Sequence, residues 1–177
     1  GPDGKIYVGG NFTDAGGIAN ADYLARWNPV TEAWEAVVAG INSDVYTMAF
    51  DANGDLYIGG TFTDLGSANG DRIVKITNLG GTPTIQTLGT GLNNYCRTIV
   101  IDANGNVYAG GEFTSAGGVA NTVKIAKWDG ISWNALSTGL NNRVYALAIA
   151  PNGELYIGGE FTDTGYPYLC KWNGTAF

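Results

Sequence analysis

The sequence predicts an all-β chain in which one four-stranded antiparallel unit is repeated in tandem, and three observations carry that reading. The phrase Tyr-x-Gly-Gly-x-Phe-Thr occurs four times, starting at Tyr7, Tyr57, Tyr108 and Tyr156, so that its first glycines (Gly9, Gly59, Gly110, Gly158) are 50, 51 and 48 residues apart. A period near fifty residues marks one supersecondary unit copied along a chain and buried against its neighbours. A turn dipeptide precedes each phrase, at Asp3-Gly4, Asn53-Gly54, Asn104-Gly105 and Asn152-Gly153. Finally, no segment keeps a helical spacing of apolar residues over a useful length.

Each full repeat reads as four short strands. The first is apolar: Val45 to Phe50, Cys96 to Ile101, Val144 to Ile149. The Asn-Gly or Asp-Gly pair follows, and it favours positive φ at both turn positions, as a type I′ hairpin requires. The second strand climbs to the Gly-Gly pair. After a loop of about a dozen residues the third strand is expected at Tyr23 to Trp27, Arg72 to Ile76, Lys124 to Trp128 and Tyr168 to Trp172, and the fourth at Trp34 to Val37, Ile85 to Leu88 and Trp133 to Leu136. The repeats run approximately over 1–44, 45–95, 96–143 and 144–177, all within a single segment, 1–177.

Tandem four-stranded meanders of this length point to a β-propeller, whose blades pack face to face around a channel. The glycine pairs Gly9-Gly10, Gly59-Gly60, Gly110-Gly111 and Gly158-Gly159 let a neighbouring group approach the strand end, and Phe12, Phe62, Phe113 and Phe161 are the expected plugs. Trp27, Trp128 and Trp172, at a repeat-locked position, are expected to pack between blades rather than to face a ligand. The order of apolar strand, Gly-Gly, a strand ending in Trp, a turn and a second Trp resembles the Kelch repeat, most clearly in Trp27-Asn-Pro-Val-Thr-Glu-Ala-Trp34. The Gly-Gly-x-Phe-Thr segment also resembles bacterial propeller repeats. The resemblance spans the chain and implies a fold; Kelch-like propellers serve both as interaction scaffolds and as enzyme domains.

Counting strand types gives about three and a half blades, because the first repeat begins at its second strand and Phe177 aligns with Trp133. The expectation is a ring incomplete in one copy. Neighbouring blades from a longer chain, or a second copy forming a homodimer with a seven- or eight-bladed ring, would cover the two end faces.

Composition narrows the partners. The chain has 177 residues, 45% apolar, with a formal charge of −7. Its nine basic residues are scattered, and without a basic patch nucleic acid is not an expected partner. No apolar run reaches the ~20 residues of a membrane-spanning helix, so no membrane insertion is expected. No signal peptide is apparent, yet polar Asn-, Thr- and Gly-rich loops suggest an extracellular or cell-surface setting. Cys96 and Cys170 stand where other repeats carry small apolar residues and are expected to be buried free thiols.

The chain contains no histidine, which removes Ser-His-Asp chemistry and the commonest transition-metal ligand; neither metal nor cofactor is expected, nor the histidine-dependent copper chemistry of some Kelch-like oxidases. Gly89-Thr-Gly-Leu-Asn-Asn94 lacks the third glycine of a dinucleotide loop and precedes a strand. Asp51, Asn53 and Asp55 have the opening spacing of a calcium loop but no acid at its twelfth position, and a hairpin turn accounts for them. Asn11-Phe-Thr13 and Asn173-Gly-Thr175 have the form of glycosylation triplets. The candidate ligand residues lie on the loops after the second and fourth strands, which emerge on one face: Asp14, Asp64 and Asp163, with Asn93, Asn94, Asn141 and Asn142. The bland alternative is that these side chains cap turns. Three functions are therefore weighed: a non-catalytic structural or interaction module, a glycan-binding propeller with one site per repeat, and part of a propeller enzyme whose catalytic residues lie outside this chain.

Overall fold

A computed structural model describes residues 1–177. Fourteen strands form four antiparallel sheets in chain order: blade 1 holds β1 (Ile6–Gly9), β2 (Leu24–Asn28) and β3 (Ala33–Ala36), and blade 2 holds β4 (Val45–Phe50), β5 (Leu56–Gly60), β6 (Ile73–Thr77) and β7 (Thr84–Thr87). Blade 3 holds β8 (Cys96–Ile101), β9 (Val107–Gly111), β10 (Ile125–Trp128) and β11 (Trp133–Ala135), and blade 4 holds β12 (Val144–Ile149), β13 (Leu155–Gly159) and β14 (Leu169–Trp172). Each sheet is an up-and-down meander, and the inner strands β4, β8 and β12 lie side by side. This is an incomplete β-propeller. Phe177 starts no strand; its ring packs 5.0 Å from that of Trp172.

The core lies between blades. One apolar cluster joins Leu24, Val37 and Ile41 of blade 1 to Val45, Leu56 and Phe62 of blade 2, and the other two junctions repeat the arrangement around Phe113 and Phe161. Phe62, Phe113 and Phe161 are fully buried, whereas Phe12 is half-buried. Trp128 and Trp172 are half-buried against the interblade clusters, and Trp133 is buried with its indole N–H donating to Leu88 O at 2.8 Å. Trp27 stacks edge-on against Trp34 across β2 and β3.

The glycine pair does two separate jobs. A methyl group on Gly9, Gly59 or Gly110 would lie 2.8, 2.6 or 2.5 Å from Val45 Cγ1, Cys96 Sγ or Val144 Cγ1, the first residue of the next blade's inner strand. The second glycine instead faces its own blade: a Cβ on Gly60, Gly111 or Gly159 would fall on the carbonyl oxygen of Asp44, Tyr95 or Arg143. The phenylalanine thus fills the junction, but in blades 2 to 4 it is not the group nearest the glycine spaces; only at Gly10 is the nearest atom that of the repeat phenylalanine, Phe12, at 3.3 Å.

Two local features differ from expectation. The hairpin turns have only their glycine left-handed, with φ of 82°, 82° and 85° at Gly54, Gly105 and Gly153. Each is a three-residue loop in which only the last residue is left-handed, closed by the N–H of Gly54, Gly105 or Gly153 donating to the carbonyl of Asp51, Asp102 or Ala150; in blades 2 and 3 the Asp51 and Asp102 side chains also accept two N–H groups of their turns, from Asn53 and Asp55 and from Asn104 and Asn106. The third strands begin one residue late because Tyr23, Arg72, Lys124 and Tyr168 are themselves left-handed (φ 62°, 65°, 65° and 71°). Each spans a lock: its N–H donates to the carbonyl of the repeat phenylalanine, and its own carbonyl accepts from the second glycine of the pair. A backbone state that costs about 1–2 kcal/mol for a bulky residue is held by two hydrogen bonds and recurs in every blade.

Candidate functional site: the axial end of the loop face

The loops after the second and fourth strands emerge together at one end of the blades, and repeated clamps tie them into a plate. The Asn93 amide accepts the N–H groups of Thr114 and Ser115 at 2.9 and 3.0 Å and donates to Thr114 Oγ1 at 2.9 Å. Asn42 grips Thr63, and Asn141 grips Thr162, in the same way. Asn94 and Asn142 each accept the N–H of the following residue, Tyr95 and Arg143. All four candidate asparagines therefore have side-chain partners inside the loops.

Asp14, Asp64 and Asp163 are exposed on this face. Asp14 and Asp64 are left-handed, and their N–H groups donate to Asp22 and Asp71 side chains at 2.7 and 3.1 Å. The three aspartates sit on separate blades and do not converge. A cleft of about 300 Å³ opens between blades 2 and 3, lined by Asp71, Asn93, Ser115 and a set of glycine backbones.

The chemically richest part of the face lies nearer the ring axis and was not singled out from the sequence. Each complete inner strand carries a β-bulge beside its first residue: pairing with the second strand slips between Val45 and Thr47, Cys96 and Thr98, and Val144 and Ala146. The extra residues are Tyr46, Arg97 and Tyr145, and a bulge re-aims the side chain it carries. Tyr46 and Tyr145 are exposed. The Arg97 guanidinium lies 4.5 Å from the Tyr46 ring centre and 5.6 Å from that of Tyr95, so it is sandwiched by cation–π contacts across two blades. Its Nε donates to Glu112 at 2.9 Å, Arg143 reaches the other Glu112 oxygen at 3.4 Å, and the Tyr145 hydroxyl donates to Glu160 at 2.9 Å. Two cations and two carboxylates are thus balanced around two exposed tyrosines, Tyr46 and Tyr145. The signal present in the sequence was the run Tyr-Arg-Tyr at one repeat position, visible only once the bulge is known.

Elsewhere the ionisable groups serve the scaffold. Asp51 binds Lys75 at 3.0 Å, besides holding its turn. Burial pushes the Cys96 thiol up to about 12 and raises that of Cys170, and both sulfurs are buried and free.

Four-stranded blades in series with a bulge-built axial rim define the class, a β-propeller segment. A family model described as a domain of unknown function (DUF5122) beta-propeller matches residues 1–30. No curated protein sequence matches the chain. Among solved structures, the extracellular domain of BT4673 from B. thetaiotaomicron, assigned to one-component or hybrid two-component systems, is similar over 90% of this chain at 16% identity and a TM-score of 0.57. PorZ, a bacterial surface component of the type-IX secretion system of Porphyromonas gingivalis, is similar over 94% of this chain at 15% identity and a TM-score of 0.57. The chain spans 19% of the first protein and 25% of the second. A gluconolactonase-family protein is more distant, at 15% identity over 88% of this chain and 52% of its own, with a TM-score of 0.49. These likenesses concern the fold.

Proposed function

We propose that the chain is a non-catalytic interaction module of a cell-surface or secreted protein, recognising its partner at the axial end of the loop face. The observation that carries this is the bulge-built rim, in which Tyr46, Arg97 and Tyr145 stand on a rigid plate with their charges internally balanced. Tyr and Arg on a preordered backbone are residue types that dominate recognition surfaces, and here Tyr46 and Tyr145 are exposed while Arg97 is half-buried between them and Glu112. The fold likeness to an extracellular domain and to a bacterial surface component supports the location. The cross-strand Trp27–Trp34 and Trp128–Trp133 pairs support a Kelch-like character of the repeat.

A second reading, a glycan partner, is favoured by the exposed Tyr46 and Tyr145 rings near Glu112 and Glu160. Sugar C–H faces stack on aromatic rings while carboxylates accept hydroxyl hydrogen bonds. On this reading the site is one axial rim rather than one site per repeat at Asp14, Asp64 and Asp163.

The test is a screen of the folded chain against glycans and bacterial surface-protein extracts, with a substrate and metal panel alongside. Binding that disappears in the Tyr46→Ala, Arg97→Ala, Tyr145→Ala triple variant, with its thermal midpoint unchanged, supports the rim. Binding that survives the triple variant but is lost on replacing Asp14, Asp64 and Asp163 moves the site outward, and reproducible turnover of any substrate overturns the non-catalytic reading.

A further inference from the structure

Three loop glycines each lie against one side chain of their own blade's outer strand. A Cβ on Gly16, Gly66 or Gly117 would fall 2.7, 2.8 or 2.6 Å from Trp34, Ile85 or Trp133. These three outer-strand positions are therefore structural equivalents, and of the three only blade 2 carries an aliphatic residue there. At the junction of blades 2 and 3 the tryptophan is put to use. Trp133 is 4% exposed, and a Cβ on Gly89 would lie 3.6 Å from its ring. Leu88 O accepts the Trp133 indole N–H at 2.8 Å and the Gly91 N–H at 3.1 Å.

At the junction of blades 1 and 2 the counterparts of Leu88, Gly89 and Trp133 are Val37, Val38 and Ile85. Val38 takes part of the space that an indole fills next door. The remainder is a cleft of about 500 Å³ lined by Val37, Val38, Ala39, Gly66, Pro83 and Ile85, with no charged side chain on its walls. The cleft opens onto the apolar cluster shared by blades 1 and 2, against which Val38 and Ile85 pack. The Val37 carbonyl, in the place of Leu88 O, accepts no hydrogen bond within the chain. This junction thus lacks both the ring and the donor that its neighbour holds.

We infer that the cleft is a second binding site, taking a tryptophan side chain presented by an extended segment of a partner protein, with the indole N–H donated to Val37 O. The neighbouring junction names the occupant, because there an indole meets the same glycine, the same strand position and the same carbonyl. The uncharged walls suit a neutral ring with one polar handle. The volume lies within the range of about 300–1,000 Å³ typical of ligand clefts and leaves room for the backbone that carries the ring. One wall is β7, the edge strand of its sheet, whose free side suits an extended chain. No residue of the axial rim lines the cleft, so this site goes beyond the one proposed above.

The test uses the 177-residue chain and a synthetic peptide of residues 131–136, Ile-Ser-Trp-Asn-Ala-Leu, which carries the indole in its blade 3 context. Backbone amide shifts of the isotope-labelled chain are followed by NMR as the peptide is added. The expected result is saturable shifts at Val37 to Ala39, Gly66 and Thr84 to Ile85. Binding weakens at least about tenfold when alanine replaces the peptide's tryptophan. The shifts disappear in Ile85→Trp, whose own ring closes the cleft. The inference fails if the alanine peptide binds equally well, if the shifts centre elsewhere, or if nothing binds at millimolar peptide. Equal affinity for N-acetyltryptophanamide alone would make a free indole compound the occupant and overturn the protein partner. The two peptides leave the protein unchanged, so their comparison decides the matter even where Ile85→Trp does not fold. The reporting amides are not those of Tyr46, Arg97 or Tyr145, so failure here leaves the rim reading untouched.

Discussion

Gly110→Ala is the sharpest test of the interblade packing. The new methyl would sit 2.5 Å from Val144 Cγ1 and 2.9 Å from Thr98 Cγ2, against 3.4–4 Å for an ordinary contact. Neither neighbour yields readily: Val144 is fully buried with a stiff β-branched rotamer, and Thr98 lies in the middle of inner strand β8. Overpacking of this kind costs about 1–3 kcal/mol, and the reduced freedom of the unfolded chain returns about 0.4–1 kcal/mol, so the net loss is about 1–2 kcal/mol. For a domain of this size that lowers the thermal midpoint by about 2–8 °C. Gly158→Ala is the matched control: the nearest atom is 3.8 Å away, so only the unfolded-state gain of about 0.4–1 kcal/mol remains. Scanning calorimetry of both variants, together with Val144→Ala alone and combined with Gly110→Ala, completes a double-mutant cycle. The combined variant should recover part of the Gly110→Ala loss, because the clashing Cγ1 is gone while Thr98 Cγ2 at 2.9 Å stays. Equal midpoints for the Gly110 and Gly158 variants, or strict additivity in the cycle, would refute the reasoning.

Three further outcomes are expected. Phe113→Ala should cost about 3–5 kcal/mol as a fully buried ring is lost, and Phe12→Ala less than half of that because its ring is already half-exposed; chemical denaturation compares them. Asn93→Ala removes three hydrogen bonds and should destabilise by about 1–2 kcal/mol, with hydrogen exchange accelerating locally at the Thr114 and Ser115 amides. Lys5, Asn28 and Arg26 hold the Glu35 carboxyl down at about 2 against its ordinary 4.5. Its folded value lies below its unfolded one, so the ionised form stabilises the fold above about pH 4.5 and that contribution fades as the pH falls towards 2. Glu35→Gln should flatten the acid-unfolding profile within that window and nowhere above it.

The repeat made most of the fold legible. Strand order, the blade-by-blade pairing and the burial of Phe62, Phe113 and Phe161 follow from the period and from alternation along each strand. The candidate site was less legible because its geometry depends on departures from regularity. Periodicity gives no sign that Tyr46, Arg97 and Tyr145 are surplus to the strand pairing. Nor does composition show that Asn93 and Asn141 are occupied inside their own loops. Left-handed Tyr23, Arg72, Lys124 and Tyr168 were hidden for a related reason: side chains that disfavour positive φ adopt it here because two backbone hydrogen bonds hold each one.

The bulge and the blade junction share a single dipeptide, and this couples the interblade packing to the shape of the axial rim. The second glycine leaves room for the carbonyl of Asp44, Tyr95 or Arg143 to turn inward and accept the N–H of Thr61, Glu112 or Glu160 at 2.8–2.9 Å. That hydrogen bond closes the bulge and aims the next side chain but one towards the rim. The first glycine, on the neighbouring residue, admits the inner strand of the following blade. A side chain at the second glycine would meet rigid backbone and open the bulge, whereas one at the first would meet a side chain and loosen the junction. The glycines must therefore stay constant, while the bulge residue reaches rim groups rather than the interblade core: Arg97 meets Tyr46, Tyr95 and Glu112, and Tyr145 meets Glu160. Its chemistry changes from Tyr46 to Arg97 to Tyr145 while the bulge and the glycine pair recur in each blade. Variation at such a position suits the recognition role proposed for the rim.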